Sequence, residues 1–327
     1  MANLETKYLG LTLKNPVIVA SSGFSKNIDK LQECEKAGAG AIVLKSLFEE
    51  VLLRDSFGIE GSTQDHTEAY EYISGELELQ YGLVEYCNFI KEAKQKINIP
   101  IIASINCMGE QHWVEFAKKL QDAGADALEL NVFSVQFENK ITGVEVEQKY
   151  YELLSKIKEV ITIPVSFKIG KNFSSLPNFV YNLYCRKIDG LVLFNRFTEP
   201  DIDINKLEIN TTFNFSRKTD YHDALRWIAV LATDMQDVDY SATTGVHTSE
   251  EIIKMLLVGA STVQIASAFY QNGLEIIQSY LADLEKWMDK HNFTSIEDFK
   301  GKLTFEHVEN PKKYLRSQFL EKIRNVE

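Results

Sequence analysis

Apolar residues recur along the chain in short continuous runs, each leading into a longer stretch with helical spacing. The runs occupy residues 17–21, 41–46, 101–105, 127–130, 165–168, 190–195, 238–243 and 262–265. Continuous apolar runs of this length mark strands buried on both faces, as parallel strands are. Segments 28–37, 83–96, 113–122, 148–160, 176–186, 223–235 and 248–258 are predicted helices, with a last long helix from Gly273 to His291. Segment 113–122 shows why, since Trp113, Phe116, Ala117 and Leu120 share one helical face. Gly38, Gly124 and Gly259 stand just past three of these helices, where a left-handed residue ends the turn.

Strands alternating with helices through short links predict parallel pairing and right-handed crossovers. Eight such units in this length fit an α/β (β/α)8 TIM barrel better than an open sheet. No break in composition divides residues 1–327, so a single barrel domain is expected. Residues 7–14 alternate polar and apolar around Gly10 and predict an N-terminal hairpin. Two long inserts, 47–82 and 199–222, are expected on the carboxyl-end face, where such segments build or cover a site. The tail after His291 is expected to be a surface extension.

The most informative run is Ala127-Leu128-Glu129-Leu130-Asn131, which continues into Val132-Phe133-Ser134-Val135-Gln136. The two-residue period puts Leu128 and Leu130 on one face, Glu129 and Asn131 on the other. A carboxylate inside so apolar a strand is costly unless partnered, so Glu129 is expected to be hydrogen-bonded or at a rim. Asn131 and Ser134 fall at the strand's carboxyl end, where parallel α/β folds keep their sites. Other strand ends carry Ser21 and Ser22, Lys45 and Ser46, Asn106, Lys168, Asn195, Thr243 and Thr244, and Ser267. Lys45 and Lys168 either pair with insert carboxylates or point into the barrel mouth, where an ammonium stabilises an anion. Lysines converging with amides and hydroxyls, without histidine, suit a planar polar cofactor rather than a hydrolytic triad.

The loops after the last two strands are the usual phosphate cradle of such barrels. Here they read Ala242-Thr243-Thr244-Gly245 and Ile265-Ala266-Ser267-Ala268. Thr248 and Glu251 form a capping box beside the first loop.

Composition narrows the class. A net charge of -12 and pI near 5.1 argue against nucleic acid and anionic membrane as partners. No run approaches the roughly 18 apolar residues of a membrane helix, and residues 1–5 are no signal peptide. Cys34, Cys87, Cys107 and Cys185 are scattered, with no C-x-x-C pair, and the six histidines show no ligand spacing. These thiols read as reduced, so a cytoplasmic location and no metal are expected.

The ordered set Asn15-Pro16 to Gly23, Lys45-Ser46, Glu129-Leu130-Asn131-Val132, Phe167-Lys168, Thr244-Gly245-Val246, residues 259–265 and the tail 295–303 resembles the dihydroorotate dehydrogenases, soluble class. The resemblance implies an FMN-dependent oxidoreductase that converts dihydroorotate to orotate in pyrimidine synthesis. A base, here Ser134, takes the C5 proton while the C6 hydride passes to flavin N5. It implies that Ser134 and Lys45 are catalytic, and that Lys45, Asn131, Gln136, Asn195, Tyr81, Gly82 and Leu83 bind substrate. It assigns Ala20, Ser21, Lys45, Ser46, Asn131, Lys168, Thr243, Thr244, Gly245, Ala266 and Ser267 to the cofactor. A homodimer fits the class, and with no cluster cysteines here an iron–sulfur route would need a separate electron-transfer subunit.

The chain departs from the family pattern around the substrate. Phe133 replaces a serine, Val135 a proline, and Gln136 an asparagine, while Tyr81-Gly82-Leu83 lacks the amide expected upstream and Arg196 replaces a small hydroxyl residue. The cradle has Thr244 and Ala266-Ser267 where the family has Gly and Gly-Thr, and its glycine-rich segment reads Phe215-Ser216-Arg217-Lys218. Pockets built to hydrogen-bond one ligand reject its analogues, so such changes redirect specificity. The alternatives are an FMN oxidoreductase for another small cyclic amide or enoyl compound, and a non-catalytic ligand-binding barrel.

Overall fold

The continuous apolar runs pair edge to edge as parallel strands. A computed structural model of the chain describes residues 2–48, 82–106, 110–132, 136, 138–196, 200–211 and 215–315. The chain opens with an antiparallel hairpin, β1 (Thr6–Tyr8) and β2 (Leu11–Leu13). It continues through β3 (Val17–Val19), β4 (Ala41–Val43), β5 (Leu47–Phe48), β6 (Ile101–Asn106), β7 (Ala127–Asn131), β8 (Val165–Ile169) and β9 (Gly190–Leu193). After a second hairpin, β10 (Pro200–Asp203) and β11 (Glu208–Thr211), come β12 (Asp239–Thr243) and β13 (Thr262–Ile265). Strands β3, β4, β6, β7, β8, β9, β12 and β13 close a parallel ring, because β13 pairs with β3 and β4 with β6. This is a (β/α)8 barrel. The short β5 adds to the edge of β6 beyond β4.

The helices follow the strands as expected: α1 (Ile28–Ala37), α2 (Leu83–Lys96), α3 (Glu110–Asp122), α4 (Gly143–Val160), α5 (Leu176–Cys185), α6 (Tyr221–Asp234), α7 (Ser249–Leu257), α8 (Ser267–Asn272) and α9 (Ile276–Lys290). Their apolar faces and the outward strand residues form one continuous core. A smaller cluster of Tyr8, Leu9, Leu13, Ile18, Ala41, Val43, Ile102 and Ala127 fills the barrel's amino end, so the N-terminal hairpin plugs it. Gly190 lets the plug seat, since a Cβ there would lie 2.6 Å from Leu9 Cδ2. Asp239 fixes the hairpin by accepting from Leu9 N at 2.7 Å and Ser261 Oγ at 2.7 Å.

The expected helix over 273–291 is present as α9, and Gly273, whose φ of 84° is left-handed, separates it from the short α8 before it. Two expectations need correction. Helix α4 starts at Gly143 rather than 148, because Thr142 and Glu145 cap each other reciprocally. The tail is no loose extension: Ile296 and Phe299 are fully buried, and Gly301 N, Leu303 N and Phe305 N donate to the carbonyls of Leu256, Leu257 and Ala229. Asp298 accepts from Thr294 and Ser295, which holds its carboxyl down at about 2.

The hairpin of the second insert is amphipathic in the opposite sense. Ile202 lies opposite Ile209 and Asp203 opposite Glu208, yet Ile202, Ile204, Leu207 and Ile209 are all exposed. Replacing Phe299 by Ala is expected to cost about 3–5 kcal/mol in urea unfolding. Replacing Ile209 by Ser is expected to stay within about 0.5 kcal/mol. Equal effects would contradict the packed tail.

Candidate functional site

Alternation along β7 turns Leu128 and Leu130 toward the helices, while Glu129 and Asn131 fall on the opposite, inner face of the strand. Ser166 and Lys168 on β8, Ser241 and Thr243 on β12, and Thr262 and Gln264 on β13 alternate in the same way. The upper barrel interior is therefore polar, although its strands read as apolar.

Its centre is one carboxylate. Glu129 is 1% exposed, and Gln264 Nε2 donates to its Oε2 at 2.6 Å. Strands β7 and β13 stand four places apart in the ring of eight, so this bond spans the barrel. Lys168 Nζ lies 4.0 Å from the other oxygen, Oε1, and its side chain is 13% exposed. Both Glu129 Oε1 and Gln264 Oε1 are buried without a hydrogen-bond partner. Burial pushes the Glu129 carboxyl above its ordinary range, and the Lys168 ammonium and the Gln264 bond pull it back. Below, burial and then the Glu129 charge raise the hydroxyl of Tyr8 well above the ordinary phenol range. Glu129 is thus hydrogen-bonded and interior, not at a rim. Lys168 meets this strand carboxylate rather than an insert carboxylate.

Above this floor the strand ends converge. Asn131 and Lys168 are register partners on β7 and β8. Asn195 Nδ2 donates to Asn131 Oδ1 at 2.7 Å, and its N–H donates to the Ile169 carbonyl. Tyr150, whose hydroxyl burial pushes up to about 12, donates to the Val132 carbonyl and anchors the chain leaving β7. Ser46 N donates to Ser21 Oγ at 2.9 Å, and hydroxyls of Ser21, Ser46 and Ser104 form a chain of 3.1 and 2.7 Å contacts. Ala20 is buried beside them, with its N–H on the Ile265 carbonyl. Lys45 is half-buried and its N–H donates to Ser25 O.

In the loops after β12 and β13 the threonine hydroxyls are bonded within the chain. Thr243 Oγ1 donates to the Gln264 carbonyl and Thr244 Oγ1 to the Phe194 carbonyl, both at 3.0 Å. With those protons committed, the pair can offer an anion only backbone N–H groups. Thr244 (φ 71°) and Gly245 (φ 83°) turn the chain in succession, and a Cβ at 245 would come within 2.3 Å of Tyr221 N. Ser267 opens α8 after Ala266 instead of sitting in a loop, and its Oγ accepts from Ser216 N at 3.0 Å. Ser216 Oγ shares a 3.0 Å bond with buried His247. Ser216 and His247 thus tie the insert's end to both cradle loops, a role that nothing in their sequence spacing announces.

Of the other expected residues, some make local bonds of their own and some lie outside the described residues. Gly82 and Leu83 open α2, and the Gly82 N–H is taken by Glu85 Oε2 at 2.6 Å. Gln136 is exposed. Ser134, Tyr81, Phe133 and Val135 lie outside the described residues. Arg196 Nε lies 3.6 Å from Asp220 Oδ2. Among the described residues, no His, Cys, Asp or Glu group could hold a metal, and no helix is long and apolar enough to cross a membrane.

A family model described as dihydroorotate dehydrogenase matches residues 79–288. The chain belongs to the dihydroorotate dehydrogenase family. It is 27% identical to the dihydroorotate dehydrogenase B (NAD(+)) catalytic subunit of Pyrococcus abyssi, over 91% of this chain and 98% of that one. It is 26% identical to the same subunit of Thermoplasma acidophilum, covering 92% and 99%. The NAD-dependent dihydropyrimidine dehydrogenase subunit PreA of Escherichia coli is 24% identical, covering 91% and 76%. As a dihydroorotate dehydrogenase relative, the chain is an oxidoreductase acting on CH–CH groups.

Gln264→Leu is expected to cost about 1.5–3 kcal/mol, the worth of a hydrogen bond to a charged group. A raised carboxyl gives stability that is full below the unfolded-chain value and is lost as pH rises through the folded one. Removing the Gln264 donor raises that carboxyl further, so the variant's deficit in denaturant unfolding should grow as pH rises above the ordinary carboxylate range. A deficit larger in acid would contradict the assignment.

Proposed function

We propose that the barrel mouth binds FMN and oxidises dihydroorotate to orotate. The observation that carries this reading is the layer of Asn131, Asn195 and Lys168 at adjoining strand ends. The donor set fits the cofactor: one ammonium and two amides suit a planar ring of hydrogen-bonding edges, and Gln264 Oε1 is an unmatched acceptor below. Ala20, Ser21, Lys45, Ser46, Asn131 and Lys168 would hold the ring. Backbone at Thr243, Thr244, Gly245 and Ala266, with the Ser267 hydroxyl, would hold the phosphate. Bound FMN supplies a two-electron acceptor for hydride.

The remaining chemistry falls to side chains. The Lys168 ammonium stabilises negative charge that develops during reduction. Lys45, Asn131 and Asn195 orient the pyrimidine, and Gln136, Tyr81, Gly82 and Leu83 complete its edge in this reading. Ser134 removes the C5 proton, and since a serine hydroxyl is a weak base it acts with a proton relay. Electrons then leave to a separate subunit, a reading supported by the relatives' names, which carry both "catalytic subunit" and NAD(+). A homodimer of the chain is part of the same proposal, with a cytoplasmic site of action.

A second reading is a dihydropyrimidine substrate without a carboxylate. It is favoured by the similarity to a dihydropyrimidine dehydrogenase subunit and by Arg196 lying beside Asp220. Purified protein is expected to be yellow and to bleach anaerobically with dihydroorotate. Bleaching by dihydrouracil alone would favour the second reading, and protein that cannot be loaded with FMN would overturn both. Ser134→Ala should slow flavin reduction by about 10²–10⁴ without releasing FMN. An unchanged rate removes Ser134 as the base.

A further inference from the structure

We propose that Glu129 is the charge partner of Lys168, a positioning residue that holds the ammonium beneath the mouth and neutralises it there. Three observations support it. Glu129 and Lys168 occupy neighbouring strands two residues apart in register, with Nζ 4.0 Å from Oε1. The opposite oxygen is held by Gln264 from across the barrel at 2.6 Å, so the carboxylate cannot swing away from the lysine. The oxygen nearest Lys168 has no hydrogen-bond donor of its own, which leaves the ammonium as its compensation. A carboxylate serving only as a brace for Gln264 would not need its second oxygen buried and unbonded, because that costs its desolvation without return.

Among the described residues, the charge that acts on Glu129 is that of Lys168 from β8; the amide of Gln264 from β13 adds a hydrogen bond, and Tyr8 of the plugging hairpin lies below as a neutral phenol. Lys168 and Glu129 together therefore carry no net charge. A site built on an uncompensated lysine would favour an anionic reduced flavin more strongly than this one does, so Glu129 sets how oxidising the bound cofactor is.

This inference rests on the FMN reading for its second readout only. In the apoprotein, the Lys168 ammonium can be followed by NMR of labelled lysine, its signal assigned by loss in Lys168→Arg. Glu129→Gln keeps the shape and removes the charge. It should displace the Lys168 ammonium resonance and speed its proton exchange with water, because the charge that holds the ammonium in place is gone. In FMN-loaded protein the same variant should shift the flavin equilibrium about tenfold toward the reduced form, about 30 mV for a two-electron couple. Glu129→Asp should restore both toward wild type, which a purely structural role does not require. A folded Glu129→Gln variant with neither readout moved overturns the proposal. Should that variant not fold, Lys168→Met decides: it should lose stability as pH rises, as an unpartnered buried carboxyl must, and an unchanged pH profile overturns the pairing. Wild-type protein that takes up no FMN overturns the proposed function, while the apoprotein ammonium signal still decides the pairing.

Discussion

A carboxylate placed in the middle of a barrel has to be held, and the upper half of this protein is arranged to hold one. Glu129 receives Gln264 from the far side of the ring and faces Lys168 from the next strand. Either partner alone leaves an oxygen buried and uncompensated, which typically costs several kcal/mol. With both, strands on opposite walls are fixed to each other just under the layer of Asn131, Lys168 and Asn195. The hairpin plug seals the other end, with Tyr8 beneath the carboxylate, so the polar interior opens only toward the strands' carboxyl ends.

The loops after β12 and β13 are held in the same way. Thr243 and Thr244 donate their hydroxyl protons to carbonyls, which stiffens the loops and leaves backbone N–H groups as the donors an anion would meet there. Ser216, bonded to both Ser267 and His247, joins the segment that replaces the family's glycine-rich stretch to those loops. Rigidity gained through side chains here substitutes for glycine turns. Both sides of the mouth are thus preorganised by bonds internal to the chain, as electrostatic stabilisation of a charged intermediate requires.

Much of the barrel could be read from the chain. Buried parallel strands leave continuous apolar runs, and the strands at 127–131, 165–169 and 262–265 fall within a residue of their expected ends. The capping box at Thr142 was equally visible but its helix starts with Gly143, a poor helix former, so periodicity alone placed the start late. The short α8 and the burial of Phe299 depend on tertiary packing that no local pattern carries. At the candidate site, the strand-end rule brings Asn131, Lys168 and Asn195 to adjoining strand ends, and the strand period puts Glu129 on the inner face. Gln264 is not legible, because a cross-barrel partner is distant in sequence and sits in a run that otherwise reads as plain core.

The most direct test of the whole account is a structure of the protein soaked or copurified with FMN. The account places the flavin ring against Lys168, with Glu129 and Gln264 bonded beneath it, and the phosphate on backbone N–H groups at 244–245 and the Ser267 hydroxyl. A flavin bound elsewhere, or one whose phosphate bypasses both loops while Lys168 turns away from the ring, would contradict it.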